Sequence, residues 1–351
     1  MMLKRLLLPL FVLVSLAAAG QSGIVNLVFI SDLHYGINRP HFRGEDNVSA
    51  KTVNAALVKA INALPAAGIT QIEAIVVTGD IANREEAGIQ PASVSWKEFL
   101  ADYFEGIRAR TATGTKTPLL LTAGNHDASN ATGYTRPLYP SRDAGSMAGM
   151  LGLMTGQAAD TATYQYAKGK LNYSREMAGV HLLFVNIWPD SANRVWIEKD
   201  LAAVDSSIPV LLFTHDPPAG DAKHFTSTDG KGENLLEEVL KDSLPGSTLL
   251  EQKGLRTFLK RHPNIKAWFH GHNNFCEMYD YTGPANDLKL PVFRSDSPLK
   301  GRDSRADETR LSFQLISIDS QHHSLTVKEC RWNTQKAAAA LEWGIQRSIQ
   351  L

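Results

Sequence analysis

Leu-Leu-Leu-Thr-Ala-Gly-Asn-His-Asp, residues 119–127, passes without a break from an apolar strand to a run of polar side chains. Asparagine, histidine and aspartate are oxygen and nitrogen donors for divalent metals, and here they stand where a strand ends. Four further stretches repeat this pattern of an apolar segment followed by metal-type ligands. They are residues 32–34, 79–80, 215–216 and 271–274. Because five such stretches supply enough donors for a pair of cations, we predict a two-metal hydrolytic site.

Strands and helices alternate along most of the chain. Segments 24–30, 74–77 and 210–214 are rich in Val, Ile and Leu and predict buried strands, while the helical spacing of apolar residues in 53–64 predicts a covering helix. Such strands form parallel sheets covered on both faces, whereas the later strands within 292–330 lack helices between them. We therefore predict an α/β (α+β) fold, a two-sheet β-sandwich flanked by helices, with the site at the C-terminal strand ends.

The first residues have the composition of a targeting segment. Lys4 and Arg5 precede an apolar run at 6–16, and three alanines at 17–19 offer a cleavage site, so residues 1–20 are predicted to be a signal peptide. The protein is then exported, either periplasmic or secreted. A retained signal anchor is the alternative, although a membrane span needs about 20 residues. No later stretch is long and apolar enough to span, so we predict no stable membrane span after cleavage.

Charge and cysteine content narrow the classes of partner. The chain has 36 Lys plus Arg and 36 Asp plus Glu, interspersed along its length, so no nucleic-acid-binding patch is evident. It has two cysteines, Cys276 and Cys330. In an oxidising compartment they could form a disulfide, and free buried thiols are the alternative. Neither has the spacing of a structural zinc site.

The five polar stretches resemble, in order, the signature blocks of the calcineurin-like metallophosphoesterases, which read D-x-H, G-D, G-N-H-D/E, H and G-H-x-H. The resemblance covers residues 24 to about 274, and the block at 124–127 is its most specific part. It implies a metallophosphoesterase-like fold in a phosphoesterase domain at 21–335. A run of alanines at 337–340 predicts a C-terminal helix or tail over 336–351. The implied activity is hydrolysis of a phosphate mono- or diester.

The resemblance also implies a ligand set for two divalent metal ions, which could be Mn, Fe, Zn or Mg. Asp32 and His34 belong to the first metal, and their spacing of two along an extended segment lets both reach it. Asp80 offers two carboxylate oxygens and bridges the two ions. The ions would hold the phosphate and activate a bridging hydroxide for attack on phosphorus. The ligands implied for the second metal are Asn125, His215 and His272.

His126 and Asp127 have catalytic roles in the same resemblance. The histidine of this block is not a ligand in the family; it faces the phosphate and protonates the leaving oxygen or stabilises its charge. Asp127 would then orient the imidazole of His126 through its other ring nitrogen. The alternative for His126 is a buried structural histidine. Both of its neighbours also fit the motif, which favours the catalytic role.

The last block departs from the family pattern. Its second histidine, a ligand of the first metal in many members, is replaced by Asn274. Asparagine can ligate through its oxygen as a harder and weaker donor, or water could fill the position. Either way the first site loses a nitrogen, which would loosen it or shift its preference toward manganese, magnesium or iron. The side chain of His270 is expected to point to the opposite face of its strand from Phe269, and His270 is left out of the ligand set.

Several other residues are open to two interpretations. His224 either lines the cleft or is a surface histidine, with the surface more common. Loops at 128–160 and 216–234 are expected to select the substrate, which the sequence does not identify.

Two alternatives to the phosphoesterase interpretation remain. One is a non-catalytic binding protein on the same scaffold with a weakened first metal site, and the other is a nuclease, which the balanced charge disfavours. Weaker substrate-contact candidates are Arg39, His41, Arg43, Tyr134 and Arg136.

Overall fold

Two six-stranded sheets and the helices that flank them make up most of the described chain. The computed structural model describes residues 23–83, 89–128, 144–161, 169–220, 224, 246–336 and 341–351. The helices are α1 (Ala50–Asn62), α2 (Ala92–Phe99), α3 (Gly145–Thr155), α4 (Ser191–Leu201) and α5 (Gly246–Arg261). The strands are β1 (Ile24–Ile30), β2 (Asn38–Phe42), β3 (Glu45–Ser49), β4 (Ala74–Thr78), β5 (Leu119–Thr122), β6 (Tyr173–Met177), β7 (Val180–Phe184), β8 (Val210–Phe213), β9 (Ile265–His270), β10 (Glu277–Tyr281), β11 (Leu290–Arg294), β12 (Ser312–Asp319), β13 (Ser324–Arg331) and β14 (Glu342–Gln350).

Both sheets combine parallel and antiparallel strands, with antiparallel strands at both edges of the second sheet but on only one side of the first. The first sheet has the order β14-β13-β12-β1-β4-β5, in which β1, β4 and β5 are parallel. The second has the order β10-β11-β9-β8-β7-β6, in which β11, β9, β8 and β7 are parallel. β2 and β3 form a separate hairpin. The predicted two-sheet α/β fold is confirmed, and each of the five polar stretches follows a parallel strand.

Aromatic side chains fill the space between the two sheets. On the second sheet the rings of Phe184, Phe213, Phe269 and Phe293 stack in sequence, with centroids 5.0, 4.7 and 4.9 Å apart. Phe29 of β1 meets the ring of Phe269 edge-on at 5.5 Å. These side chains are fully buried, and offset stacking and edge-to-face packing are the favoured arrangements of such rings. The contact locks the two sheets face to face and brings their strand ends together.

The C-terminal segment corrects one expectation. The predicted helix over 336–351 is wrong, because Glu342–Gln350 is a strand that pairs antiparallel with β13. Trp343, Ile345 and Ile349 favour a strand intrinsically, and the open edge of β13 offers backbone groups for them to pair with. The alanine run at 337–340, on which the helix prediction relied, lies outside the described residues.

The cysteines are free thiols in the structure, so the free-thiol alternative describes them. Burial raises the pKa of Cys276 and of Cys330 to about 12. The signal peptide predicted at 1–20 and the substrate candidates Tyr134 and Arg136 lie outside the described residues. None of the described helices combines the length and apolarity that crossing a membrane requires.

Candidate metal centre

The five polar stretches converge where the parallel strands of both sheets end. Asp32 follows β1, Asp80 follows β4 and Asn125 follows β5, while His215 and His272 follow β8 and β9. Backbone pairing continues past the strands within each sheet, since the N–H of Asp32 donates to Gly79 O at 3.0 Å and that of Gly271 to His215 O at 3.0 Å. The carboxyl ends of the parallel strands therefore hold these side chains close together.

The backbone at this edge is held in an unusual conformation. A positive φ in a residue other than glycine is uncommon and is found preferentially at functional sites. Five of the predicted ligands have φ between 46° and 65°. The concentration of such residues at one edge indicates that the surrounding packing enforces their positions. They are Asp32, His34, Asp80, His272 and Asn274.

Two glycines allow the backbone to approach the carboxylates closely. A Cβ atom at Gly124 would lie 2.2 Å from Oδ1 of Asp80, and one at Gly271 would lie 2.2 Å from Oδ2 of Asp32. Both distances are far below van der Waals contact. The glycines of the Gly-Asn-His-Asp and Gly-His blocks are therefore required by packing against the carboxylates, independently of any role in a turn.

One cluster of donors is formed by Asp32, His34 and Asp80, all of them buried. The Nε2 atom of His34 lies 3.7 Å from Asp32 Oδ1 and 3.7 Å from Asp80 Oδ2. Among the described residues, Asp32 Oδ1 and both ring nitrogens of His34 have no hydrogen-bond partner. Buried polar atoms are nearly always paired, so this cluster fits a divalent cation as the partner of all three side chains.

A second cluster is formed by Asn125, His215 and His272. The Oδ1 atom of Asn125 lies 3.1 Å from His215 Nε2 and 3.2 Å from His272 Nδ1, and these two nitrogens are 3.3 Å apart. The other ring nitrogen of His215 lies 2.7 Å from Thr78 O. Since a carbonyl only accepts, Nδ1 of His215 carries a proton, which leaves Nε2 as the ring nitrogen that can ligate a metal.

Asp80 lies between the two clusters. Its Oδ2 atom is 3.7 Å from His34 Nε2 and 3.4 Å from His215 Nε2. Its Oδ1 atom accepts a 2.8 Å hydrogen bond from the backbone N–H of His126. The sequence predicted that both carboxylate oxygens would serve the metals. The geometry instead gives one oxygen to both clusters and the other to the protein.

Burial sets the protonation of the two clusters. Desolvation lowers the pKa of His34 well below its usual value and that of His272 to about 4, which leaves both imidazoles neutral and able to ligate. Burial also opposes the charge on Asp80, but His215 and His126 outweigh it and hold the pKa of Asp80 well below its usual value. Burial and the nearby Asp80 raise the pKa of Asp32 to about 6, although His215 opposes them. His215 differs from His34 and His272: burial opposes its charge, but Asp80 and Asp32 outweigh burial and raise its pKa to about 10. A cation bound there would replace the second proton of that ring.

Asp216 is a site residue that the ligand prediction missed. It is fully buried, and its Oδ1 atom lies 3.6 Å from His272 Nδ1, within one potential metal-binding group with His215. Burial alone would raise the pKa of Asp216, but His224 and His272 outweigh it and hold the pKa at about 2. Its position directly after His215 was the available signal, because a carboxylate next to a ligand at a strand end is itself a donor.

His224 is buried rather than exposed, which corrects the surface interpretation. Its Nδ1 atom lies 2.5 Å from Asp216 Oδ2, and its ring meets that of His272 edge-on at 5.2 Å. Asp216 therefore has one oxygen toward His224 and the other toward His272. Asp216 and His224 thus help to hold His272 in position, as the outer partners of metal ligands do.

Asp127 has a different role from the one predicted. Its Oδ1 atom accepts from the N–H of Ala82 at 2.9 Å and its Oδ2 atom from the N–H of Gly124 at 2.9 Å. Among the described residues these backbone amides, and not the ring of His126, are the partners of the carboxylate. Burial and the nearby Asp80 raise the pKa of Asp127 to about 7. Asp127 thus ties together the two turns that carry Asp80 and Asn125.

The half-buried ring of His126 lies beside the first cluster. Its centroid is 5.0 Å from that of His34, edge to face. Its Nε2 atom is 3.5 Å from Nζ of Lys300, which also donates to Asn83 Oδ1 at 3.0 Å. Lys300 and Asn83 were not among the predicted site residues, and no metal-type motif surrounds Lys300 in the sequence. Only the fold brings Lys300 to His126.

Asn274 remains a predicted ligand. Its Nδ2 atom donates to His272 O at 2.8 Å, and its buried Oδ1 atom has no hydrogen-bond partner among the described residues. An amide oriented in this way has its oxygen available as a donor. His270 is buried, and its ring nitrogens lie 2.9 Å from Gly271 O and 3.2 Å from the Tyr279 hydroxyl, in agreement with its omission from the ligand set.

The basic residues after the first block have structural partners. Arg39 is buried and donates to the carbonyl oxygens of Pro298 and Ser304. His41 is exposed and lies 2.5 Å from Asp46 Oδ1. Arg43 donates to Asn333 Oδ1 at 2.7 Å. These contacts give Arg39 and Arg43 roles in holding loops rather than in binding substrate.

Comparison with known proteins agrees with this geometry. The family model described as calcineurin-like phosphoesterase matches residues 25–274. No curated protein matches the chain in sequence. The structure titled "Structure of PhoD" is similar at a TM-score of 0.58 with 8% identity, over 93% of this chain and 70% of that one.

A looser likeness is to phosphopantetheinyl hydrolase (PptH) from Mycobacterium tuberculosis, at a TM-score of 0.37 and 13% identity, over 82% of this chain and 94% of that one. The fold shared with PhoD and the family match over most of the chain agree with the two donor clusters. The chain therefore belongs to the calcineurin-like phosphoesterase family of metal-dependent hydrolases, which act on phosphoester bonds.

Proposed function

We propose that this protein is an exported phosphoesterase whose centre holds two divalent cations and hydrolyses a phosphate mono- or diester. The observation that carries the proposal is the position of Asp80 Oδ2, 3.7 Å from His34 Nε2 in one cluster and 3.4 Å from His215 Nε2 in the other. A carboxylate shared by two donor clusters is the arrangement that a paired-metal site requires.

The first cation would be held by Asp32, His34 and Asp80, with Asn274 as a further donor. Asp80 would also contact the second cation. When bound, such cations polarise the phosphoryl group and lower the pKa of an attacking water. The second cation would be held by Asn125, His215 and His272, with Asp216 beside them.

The protein side chains supply the remaining steps. His126 lies at the rim of the first cluster and is half-buried, so its ring can reach substrate while its backbone N–H is fixed by Asp80. In the reaction its imidazolium would deliver a proton to the leaving oxygen. That role requires the ring to come within hydrogen-bond reach of the oxygen. The non-catalytic alternative does not explain why both donor clusters and His126 occur together.

Two assays on purified full-length protein test the proposal. Metal analysis after dialysis should find about two divalent ions per chain, the stoichiometry of a two-metal site. Hydrolysis of p-nitrophenyl phosphate and bis-p-nitrophenyl phosphate should be abolished by a chelator and restored by manganese. A chain that binds metal but turns over neither ester, nor any of a panel of nucleotides and sugar phosphates, would contradict the enzymatic proposal.

Export is supported by the composition of residues 1–20. The test is the N-terminal sequence of the protein recovered from the periplasmic or culture fraction of expressing cells. A mature chain beginning near Gly20 or Gln21 is expected. Recovery of the uncleaved chain in the cytoplasmic fraction would contradict the proposal, without bearing on the activity.

A further inference from the structure

We propose that Lys300 is a substrate-contacting residue whose ammonium group binds an anionic oxygen of the phosphoryl group at the same end of the site as His126. This inference rests on the proposed function of the metal centre. Lys300 lies outside residues 25–274, to which the family model is matched.

The position of Lys300 places a positive charge at the rim of the centre. Its Nζ atom is 3.5 Å from His126 Nε2 and donates to Asn83 Oδ1 at 3.0 Å. An oxygen atom bound by His126 would therefore lie within reach of the ammonium as well. An ammonium is a strong donor to phosphate, since hydrogen bonds between charged groups are shorter and stronger than neutral ones.

The loop that carries Lys300 is anchored to the metal centre. The hydroxyl of Ser297 donates to Asp32 O at 2.7 Å and accepts from the backbone N–H of Lys300 at 3.0 Å. Ser297 thus links the backbone of Lys300 to the backbone of a predicted ligand. On the other side of the loop, the buried guanidinium of Arg39 donates to Pro298 O at 2.9 Å. A lysine on a fixed backbone loses less entropy when it binds an anion than one on a mobile loop.

A purely structural lysine is the competing interpretation, in which Lys300 only ties its loop to Asn83. The two interpretations differ in one measurable quantity, the affinity for an anion. A structural tie lowers thermal stability when it is removed, but leaves phosphate affinity unchanged in protein that still folds. A substrate contact changes phosphate affinity in the folded protein.

The test uses the full-length protein loaded with manganese and inorganic phosphate as the probe, measured by calorimetry. Lys300→Gln should weaken phosphate binding, and lower kcat/KM for p-nitrophenyl phosphate, by about 10- to 100-fold, the range for a hydrogen bond between charged groups. Lys300→Arg keeps the charge with a different shape and should lose less. Lys59→Gln, which removes an exposed lysine of α1, should stay within about twofold of wild type.

Equal phosphate affinity in Lys300→Gln and wild type, at equal metal content and with an intact thermal transition, would overturn the inference. If Lys300→Gln does not fold, Lys300→Met, which removes the ammonium from a side chain of similar length, is measured in the same way, and unchanged phosphate affinity in that folded variant argues for a structural tie. The phosphate measurement does not depend on turnover. A wild-type protein that binds phosphate but hydrolyses no ester would therefore contradict the proposed function and leave the Lys300 result readable.

Discussion

The Oδ1 atom of Asp80 accepts a 2.8 Å hydrogen bond from the backbone N–H of His126. The carboxylate that joins the two donor clusters is therefore also the group that positions the candidate acid. One oxygen faces the cations and the other fixes the turn of the Gly-Asn-His-Asp block. This coupling explains why the second and third polar stretches must come together before the site can work.

His126→Ala should lower kcat while metal content stays at the wild-type value, because the ring belongs to neither cluster. A lost general acid costs about 100- to 10,000-fold. The loss should be larger for an alkyl phosphate than for p-nitrophenyl phosphate, since a good leaving group needs little protonation. Steady-state rates on both esters check this, and an equal loss on the two would argue against the acid role.

Asp80→Asn should reduce metal binding more than any other single change, since Oδ2 lies between both clusters. The affinity for manganese should fall by more than about 100-fold, beyond the range for partners outside the ligand set. Asparagine keeps the shape and can still accept from the His126 N–H. Metal titration checks the loss, with Asp46→Asn, an exposed carboxylate, as the matched control. Full metal content in Asp80→Asn would refute the shared-ligand assignment.

Asp216→Asn tests a residue that sequence reasoning left out. Manganese affinity at the second cluster should weaken by about 10- to 100-fold whether Asp216 ligates directly or through His272. Activity should recover at saturating metal. Titration of activity against manganese separates the affinity for the metal, read from the midpoint of the curve, from the activity at saturating metal. An unchanged titration curve would mean that Asp216 serves only to hold His224.

Asn274→Gly removes the amide without straining the backbone, because glycine accepts the φ of 59° found at this position. If the Oδ1 atom ligates the first metal, the affinity for one of the two ions should fall by about 10-fold, the low end for a weak ligand. Competition with a metal-sensitive dye measures this. Two ions bound as tightly as in wild type would remove Asn274 from the ligand set.

Asp296→Asn should change the pH dependence of stability. Burial raises the pKa of Asp296 from 3.8 to about 7, although Ser304 and Arg39 oppose it. The native state therefore binds this proton more tightly than the unfolded chain does. Its contribution to the free energy of unfolding is present below pH 4 and is lost as the pH rises to about 7.

The asparagine variant lacks this ionisation, so its stability relative to wild type should rise over the same interval. The rise should reach at most about 4 kcal/mol, at 1.4 kcal/mol for each unit of pKa. Urea unfolding at pH 4.5, 6 and 7.5 measures the difference. A difference that is constant with pH would show that the native pKa of Asp296 is not raised.

Much of the site was readable from sequence because its residues follow strands. A run such as Leu119–Thr122 is apolar enough to predict a buried strand. The polar residues after it must then lie at one edge of a sheet. Asp32, His34, Asp80, Asn125, His215 and His272 were placed together for this reason and through the family pattern. The metal ions themselves, and the ligation by Asn274, stay predictions.

The predictions that were wrong concern features that depend on contacts between distant segments. The partners of Asp127 are amides of Ala82 and Gly124, and no local pattern distinguishes these from the ring of His126. The strand at Glu342–Gln350 forms because β13 offers an open edge with which it pairs.

Sequence by itself determined which residue types stand at the ends of which strands, because strand periodicity and buried apolar runs are local properties. Tertiary structure decided which other side chains the residues at those strand ends contact. It gave one Asp80 oxygen to both clusters, buried His224 behind Asp216, and brought Lys300 to His126 across 174 positions of sequence. Such long-range placements follow from how the two sheets pack, and packing is a property of the whole chain rather than of any segment in it.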